Sequence, residues 1–406
     1  MALNNSWPKF NWPLGISTMT WKDKLKISKF LFTEPQWTAG KWVEYYENLW
    51  KESTKAPYVV MTSSGSSANQ LIALRRKWEL KHSNEKHGNK VLFPVVNWIS
   101  SVSPFVHAGF DPVFVDVGHN LCATVSDIED KLISDPQIKT VFYTTLLGFA
   151  CNLAHLQRVC LKHGVKLLLD NCESSFSYFD AGGSTSTYFK SFNNFVTCST
   201  SIYISHFTSG GNEGGLIFCQ NEEEYEWYKM ARNHGMTRNM PKKYHNLDAN
   251  EMFDFYLMGT NTRSSNLLAY MASLDFERSS KFSCEQRKNI EIAFSYALDH
   301  NKYDMPHYYN EQSSKYSPLA IPIIKNKKCK DESLIAKVQF FLKVCDVAYR
   351  PIVGGNLLRH TAFKEYGNAR YFPNAEWIHN QGLYIGLHQG VTIKMAENLA
   401  NRLSAL

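Results

Sequence analysis

Asp170 and Glu173 stand one turn apart in "KLLLDNCES" (166–174), directly behind an apolar run. A carboxylate at the end of a buried strand is costly unless something meets it, and a protonated pyridine nitrogen is one such partner. Taken alone, Asp170 reads equally well as an N-cap for the next segment, and Glu173 as a loop-bracing acid. A second grouping, "TSSGSSAN" (62–69), follows the run "YVVM". Gly65 permits a tight turn, Ser66 and Ser67 offer hydroxyls, and the free N–H groups of a helix start suit a phosphate. A plain serine N-cap is the commoner meaning of such a turn. Behind "VLFPVV" comes Trp98, whose flat face suits core, rim or a cover over an aromatic ligand. Ser201 and His206 lie in "SIYISHFTSGGNEGG" (201–215), where imidazole chemistry at neutral pH becomes available. A phosphate cradle, an aromatic cover and a carboxylate together are what binding pyridoxal phosphate (PLP) requires.

The elements that must position these groups follow from periodicity. Between residues 57 and about 220 the runs "YVVMT", "VLFPVV", "PVFVDV", "TVFYTTL", "KLLLDN", "NFVTCST" and "GGLIFCQ" read as strands. Several are separated by apolar residues at helical spacing, such as Leu71, Leu74 and Trp78. The alternation predicts an α/β fold with a largely parallel sheet covered by helices on both faces, and ligands at the carboxyl ends of its strands. Beyond it "YSPLAIPII" (316–324) reads as a strand, and "SLIAKVQFFLKV" (333–344) and "KMAENLANRLSAL" (394–406) as helices. The expected organisation is an N-terminal segment 1–40 packing with either part, a large domain 41–279, and a smaller α+β domain 280–406.

At 406 residues and 44% apolar, the chain can bury a large core. Its apolar runs stop short of a membrane span, and the N-terminus does not resemble a secretory signal, so the cytoplasm is expected. Nine cysteines without a C-x-x-C pair argue against a disulfide framework and a zinc ribbon; no metal site is expected. The net charge of +7 comes from 44 dispersed basic residues, which makes nucleic-acid binding a weak reading. The densest stretch, "RNMPKKYH" (238–245), is a solvated loop or meets a phosphate.

"TSSGSSAN", "FPVVNWISSVSPFVHAGFDPVFVDV", "DNCES", "NEGG", "RNHGMTRN" and "GTNTR" occur in an order that resembles the DegT-type sugar aminotransferases, PLP enzymes of fold type I. The likeness runs from about residue 40 to the C-terminus. In that family the segment matching 201–206 ends in the lysine that binds the cofactor covalently; here that position is His206, and Lys190 and Lys229 are too distant for a small register shift. Histidine there, with Trp98, "YRPIVGGNLLRH" (349–360) and "YIGLHQGVT" (384–392), resembles the family's nucleotide-sugar 3-dehydratases.

The resemblance implies PLP and its pyridoxamine form (PMP), held without a covalent bond. It also implies glutamate as amine donor, a nucleotide-linked 4-keto-6-deoxysugar as substrate, and a homodimer. His206 becomes the proton carrier and Asp170 the holder of the pyridinium proton. Gly65, Ser66, Ser67, Trp98, Glu173 and Ser201 surround the cofactor, and Asn261 reaches its phosphate from a second subunit. Arg350, Asn356 and Arg359 are the expected contacts to the nucleotide sugar, since a diphosphate suits arginine's fork. Whether the base is guanine or cytosine stays open. The thiols beyond residue 220, Cys284, Cys329 and Cys345, are too dispersed for the iron–sulfur centre of the CDP-sugar branch. One departure is Phe207, where the subgroup commonly has a second histidine. A lysine-dependent aminotransferase and a non-catalytic nucleotide-sugar binder are the rival readings.

Overall fold

The computed structural model describes residues 8–82, 88–180, 189–192, 195–203, 206–207, 213–246, 253–282, 284–306 and 316–406. Thirteen strands are found among them: β1 (Tyr58–Thr62), β2 (Lys90–Pro94), β3 (Asp111–Val115), β4 (Ile138–Thr144), β5 (Lys166–Asp170), β6 (Tyr178–Asp180), β7 (Phe189–Ser191), β8 (Cys198–Ser201), β9 (Gly215–Cys219), β10 (Tyr303–Asp304), β11 (Ala320–Lys325), β12 (Tyr349–Pro351) and β13 (Gly382–Gly386). The α-helices are α1 (Trp21–Thr33), α2 (Lys41–Thr54), α3 (Gly65–His82), α4 (Ile99–His107), α5 (Val125–Ser134), α6 (Leu153–Lys162), α7 (Glu222–Ala231), α8 (Asn266–Lys281), α9 (Cys284–Ala297), α10 (Leu334–Val344), α11 (Pro373–Gln381) and α12 (Ile393–Ser404).

Seven strands form one sheet in the order β1-β9-β8-β5-β4-β2-β3. The central strands are buried nearly throughout, as expected of a sheet covered on both faces. Strands β2 to β5 and β8 pair in parallel, and α4, α5 and α6 are the crossovers that join β2 to β3, β3 to β4 and β4 to β5. The sheet departs from full parallelism at β9, which runs antiparallel between β1 and β8. Strand β9 follows β8 in the chain and pairs directly beside it, as consecutive antiparallel strands do.

Strands β10-β11-β13-β12 form a second, antiparallel sheet. It packs with α9, α10 and α12 around a separate core that includes Phe294, Ile323, Phe341 and Leu399. The N-terminal segment belongs to both parts. Trp12 is buried in this second core and donates its indole N–H to the Gly386 carbonyl at 2.7 Å, whereas Phe30 on α1 stacks on Tyr270 of α8. Ile352, Leu357, Phe363 and Ile378 pack on the first core, so the C-terminal part reaches back across the large sheet. Local signals agree with these helices: Thr20 and Asp23 make a reciprocal capping box for α1, and Asn152, Asn221, Ser265 and Thr392 cap α6, α7, α8 and α12. No helix among the described residues is long and apolar enough to cross a membrane.

Candidate active site

The carboxyl ends of β1, β5 and β8 converge, and the groups singled out by sequence gather there. Asp170 ends β5 and is buried. Its Oδ2 accepts from Asn69 Nδ2 at 2.8 Å and from Ser101 Oγ at 2.6 Å, and its Oδ1 from the Cys172 N–H at 3.1 Å. The Ser199 hydroxyl approaches Oδ1 only to 3.5 Å, which leaves that oxygen the one with acceptor capacity to spare. Such donors fix a carboxylate in place. The sequence reading passed over Asn69, Ser101 and Ser199, although periodicity marks two of them. Asn69 lies one helical turn past Gly65, and Ser199 shares a strand face with Ser201.

The serine turn takes its place by close approach. A Cβ on Gly65 would lie 2.9 Å from Ser201 Cβ and 3.0 Å from Cys172 Sγ; one on Gly215 would lie 2.2 Å from the Ser64 carbonyl. Only glycine lets β1, β8 and β9 meet so tightly at the start of α3. The Ser67 hydroxyl turns inward, accepting from the Ser64 N–H at 2.9 Å and bracing the turn. Ser66 is exposed, with no side-chain partner among the described residues. The cradle therefore offers a helix N-terminus and Ser66, with Ser67 as its brace. Ser201 ends β8 at the same place.

His206 follows Ser201 through a turn in which its N–H donates to the Tyr203 carbonyl at 2.8 Å. Its ring meets Tyr203 edge-on, and its buried Nδ1 finds no hydrogen-bond partner among the described residues. Burial pushes the imidazole down to about 4, opposed by the nearby Asp170 carboxylate and the Ser201 backbone. The ring is therefore neutral at pH 7, a proton acceptor in waiting. The glycine-rich continuation 208–212 lies outside the described residues.

Glu173 is partly buried and accepts from the Leu147 N–H at 2.7 Å. Desolvation raises its carboxyl to about 7, with Asp170 adding to the rise. Trp98 caps α4 with its side chain 55% exposed, so it belongs to the rim of the sheet rather than to the core. Asn261 is exposed beside Thr262, whose carbonyl accepts from the Ser63 N–H at 2.9 Å.

The three expected nucleotide-sugar contacts divide. Asn356 is buried and gives its amide to Glu376 Oε1 at 2.8 Å and to the Ala369 carbonyl at 3.1 Å. Arg359 grips the same Glu376, with Nε at 2.9 and 3.0 Å from its two oxygens. Both commit their polar atoms to the protein. Arg350 is exposed and has no hydrogen bond or ion pair among the described residues. It pairs across strands with Tyr384, which puts both side chains on one face of the second sheet. Tyr384, missed by sequence reasoning, packs on the first core and lies within electrostatic reach of Glu173 and Arg350. Burial, chiefly, pushes its phenol up to about 12. Tyr384 opens the stretch "YIGLHQGVT", but only β-pairing shows that its ring stands beside Arg350. In the basic stretch 238–245, Lys243 and Tyr244 both bind Glu226 at 2.7 Å, folding it against α7.

A buried carboxylate at a strand end, a glycine-dependent cradle and an unpartnered imidazole nitrogen on this mixed sheet fit a pyridine ring bearing a phosphate. The fold is that of the aminotransferase-like PLP enzymes of fold type I. The chain belongs to the DegT/DnrJ/EryC1/StrS aminotransferase family, which it matches over residues 22–404. It is similar to GDP-4-keto-6-deoxy-D-mannose 3-dehydratase of Escherichia coli O55:H7, with 28% identity over 395 residues, 93% of this chain and 96% of that protein. A solved structure of the E. coli GDP-4-keto-6-deoxy-D-mannose-3-dehydratase with bound hydrated PLP superposes with a TM-score of 0.82 at 25% identity, covering 97% of this chain and 100% of that one. Another, of GDP-4-keto-6-deoxymannose-3-dehydratase with a trapped PLP-glutamate geminal diamine, gives 0.80 at 25% identity over 96% and 100%.

Proposed function

We propose that this protein is a PLP-dependent lyase that removes the 3-hydroxyl of a nucleotide-linked 4-keto-6-deoxyhexose, with glutamate as amine donor. The reading includes a cytoplasmic homodimer in which Asn261 of one subunit reaches the cofactor phosphate of the other. The observation that carries it is His206: a neutral imidazole with an unpartnered Nδ1, beside Ser201 and Asp170, where the family places a lysine. Imidazole forms no stable link to an aldehyde, so the cofactor is held by non-covalent contacts alone.

When bound, the cofactor supplies an amine for the sugar's keto carbon and an electron sink in its protonated ring. Asp170, fixed by Asn69 and Ser101, would hold the ring-nitrogen proton of the bound cofactor. With the cofactor bound, His206 Nδ1 would be the group that takes up a proton as the sugar's 3-hydroxyl departs and returns one. Gly65, Ser66 and Ser201 would hold the phosphate. Trp98 would cover the ring from the rim, and Glu173 would stand by the ring oxygen. Arg350 meets the substrate's diphosphate.

The overall balance is one sugar and one glutamate converted to one 3-deoxysugar, one 2-oxoglutarate and one ammonia. The test is incubation with GDP- and CDP-linked 4-keto-6-deoxyhexoses, PLP and glutamate under anaerobic conditions, read by mass spectrometry. Equal yields of the three products support the proposal. A 4-amino sugar in place of ammonia would make the protein an aminotransferase, and a need for an added reductase would overturn the electron balance.

A further inference from the structure

Phe207 directly follows His206, and its ring is 2% exposed. One edge meets Phe176 with centroids 5.6 Å apart, and Phe176 stacks flat on Trp50 at 5.4 Å, so this side of the ring is set by the first core. On its other side lies Arg287 of α9, whose guanidinium carbon is 4.8 Å from the Phe207 centroid and 4.7 Å from that of Phe282. Arg287 is also 2% exposed, and its Nη1 donates to the Leu387 carbonyl at 2.5 Å and to the Pro318 carbonyl at 3.3 Å. Those carbonyls flank β13 and β11, so the guanidinium is fixed by the second sheet while it faces a ring of the first core.

We infer that Arg287 is a positioning residue for His206, acting through the ring of Phe207. A guanidinium is attracted to an aromatic face, more strongly when both are desolvated. The geometry needs an uncharged aromatic ring at 207, because a protonated histidine there would repel the arginine. The His206 N–H is held by the Tyr203 carbonyl and its imidazole meets the Ser201 backbone, while its Nδ1 stays unpartnered to accept a proton. The neighbouring residue, clamped between Phe176 and Arg287, fixes the point of the chain from which the imidazole reaches Ser201 and Tyr203. The docking of the C-terminal sheet and the reach of the proton carrier become one structural event.

The inference rests on the reading of His206 as proton carrier, and the experiment separates the two. Arg287→Met, Arg287→Lys, Phe207→Leu and the Arg287→Met/Phe207→Leu double variant are compared in kcat and KM for the nucleotide sugar. In the cofactor-free protein, His206 reactivity toward diethyl pyrocarbonate is measured by peptide mass mapping, with melting temperature alongside. Each of Arg287→Met and Phe207→Leu is expected to lower kcat about tenfold, as a misaimed reacting group does, with KM little changed. The double variant falls no further, Arg287→Lys recovers part of the loss, and His206 is modified faster in every impaired variant. Additive losses in the double variant, or His206 reactivity equal to wild type, overturn the inference. If Arg287→Met does not fold, Arg287→Lys combined with Phe207→Leu gives the same coupling test. Activity retained by His206→Ala would overturn the underlying reading instead, whatever the reactivity shows.

Discussion

The Leu147 N–H donates to Glu173 Oε2 at 2.7 Å, while the Leu147 carbonyl accepts from the Leu319 N–H at 3.0 Å. One residue in the left-handed region, φ 50°, thus ties a pocket carboxylate to the residue that leads into β11 of the second sheet. Ser177 repeats the link: its hydroxyl accepts from the Ser317 N–H at 3.0 Å. The segment carrying Glu173 and the segment leading into β11 are stapled together, which sets Tyr384 and Arg350 relative to the large sheet.

Glu173 makes stability depend on pH. Burial lifts its carboxyl from an ordinary 4.5 to about 7, so between these values the folded protein holds a proton that the unfolded chain has released. Stability therefore falls as pH rises through that window, and the penalty is fully present above it. In the cofactor-free protein, Glu173→Gln should raise the melting temperature at pH 8 and flatten the profile between pH 4.5 and 7. Glu291, also lifted to about 7 by burial, keeps its own share of the slope. Thermal melts across pH, with Glu291→Gln as comparison, check this; an unchanged slope in Glu173→Gln would remove the buried acid from the account.

His206 works in the opposite sense. Its folded value of about 4 lies below the unfolded 6.5, so stability is present above pH 6.5 and is lost as pH falls toward 4. The acid limb of kcat/KM should then fall below pH 6 instead of at imidazole's usual value. His206→Ala should lower kcat by ~10²–10⁴, the range of a general acid–base group. His206→Lys should capture PLP covalently, seen as a borohydride-stable mass addition that the wild type lacks.

Asp170→Ala leaves the Asn69 amide and the Ser101 hydroxyl without their buried acceptor, a stability cost of about 1–3 kcal/mol. The larger effect is on chemistry, because nothing then holds the ring-nitrogen proton. Activity should vanish even at saturating cofactor, while circular dichroism shows a folded protein. Normal turnover by Asp170→Ala would show that the strand-end carboxylate has another purpose.

Arg350 and Arg359 should behave differently despite lying close in sequence. Arg350→Ala is expected to raise KM for the nucleotide sugar about tenfold, the loss of one charge-assisted hydrogen bond. Arg359→Ala should leave KM unaltered and slightly lower the melting temperature, since its guanidinium is held by Glu376. Steady-state kinetics of the two variants, with Glu376→Gln as a third, distinguish a substrate contact from a structural one.

The sequence by itself determined the alternation that builds the large sheet, because strand and helix periods are local properties of side-chain order. It also placed Asp170 and Ser201 at strand ends and Gly65 in the turn that opens a helix, and singled out His206, since a residue type at a motif position needs no third dimension to be read. Tertiary structure decided the rest. Strand β9 runs antiparallel between β1 and β8, a direction that strand pairing fixes and that the apolar run alone does not carry. Asn69 and Ser101 become the partners of Asp170 only when α3 and α4 start at the same sheet edge. Ser67, Asn356 and Arg359 carry the right donors, but which acceptor a donor finds depends on what folding brings within 3 Å, and here that is the protein itself. Tyr384 and Arg287 reach the site from far along the chain through strand pairing and core contact, interactions that leave no mark at short spacing in the sequence.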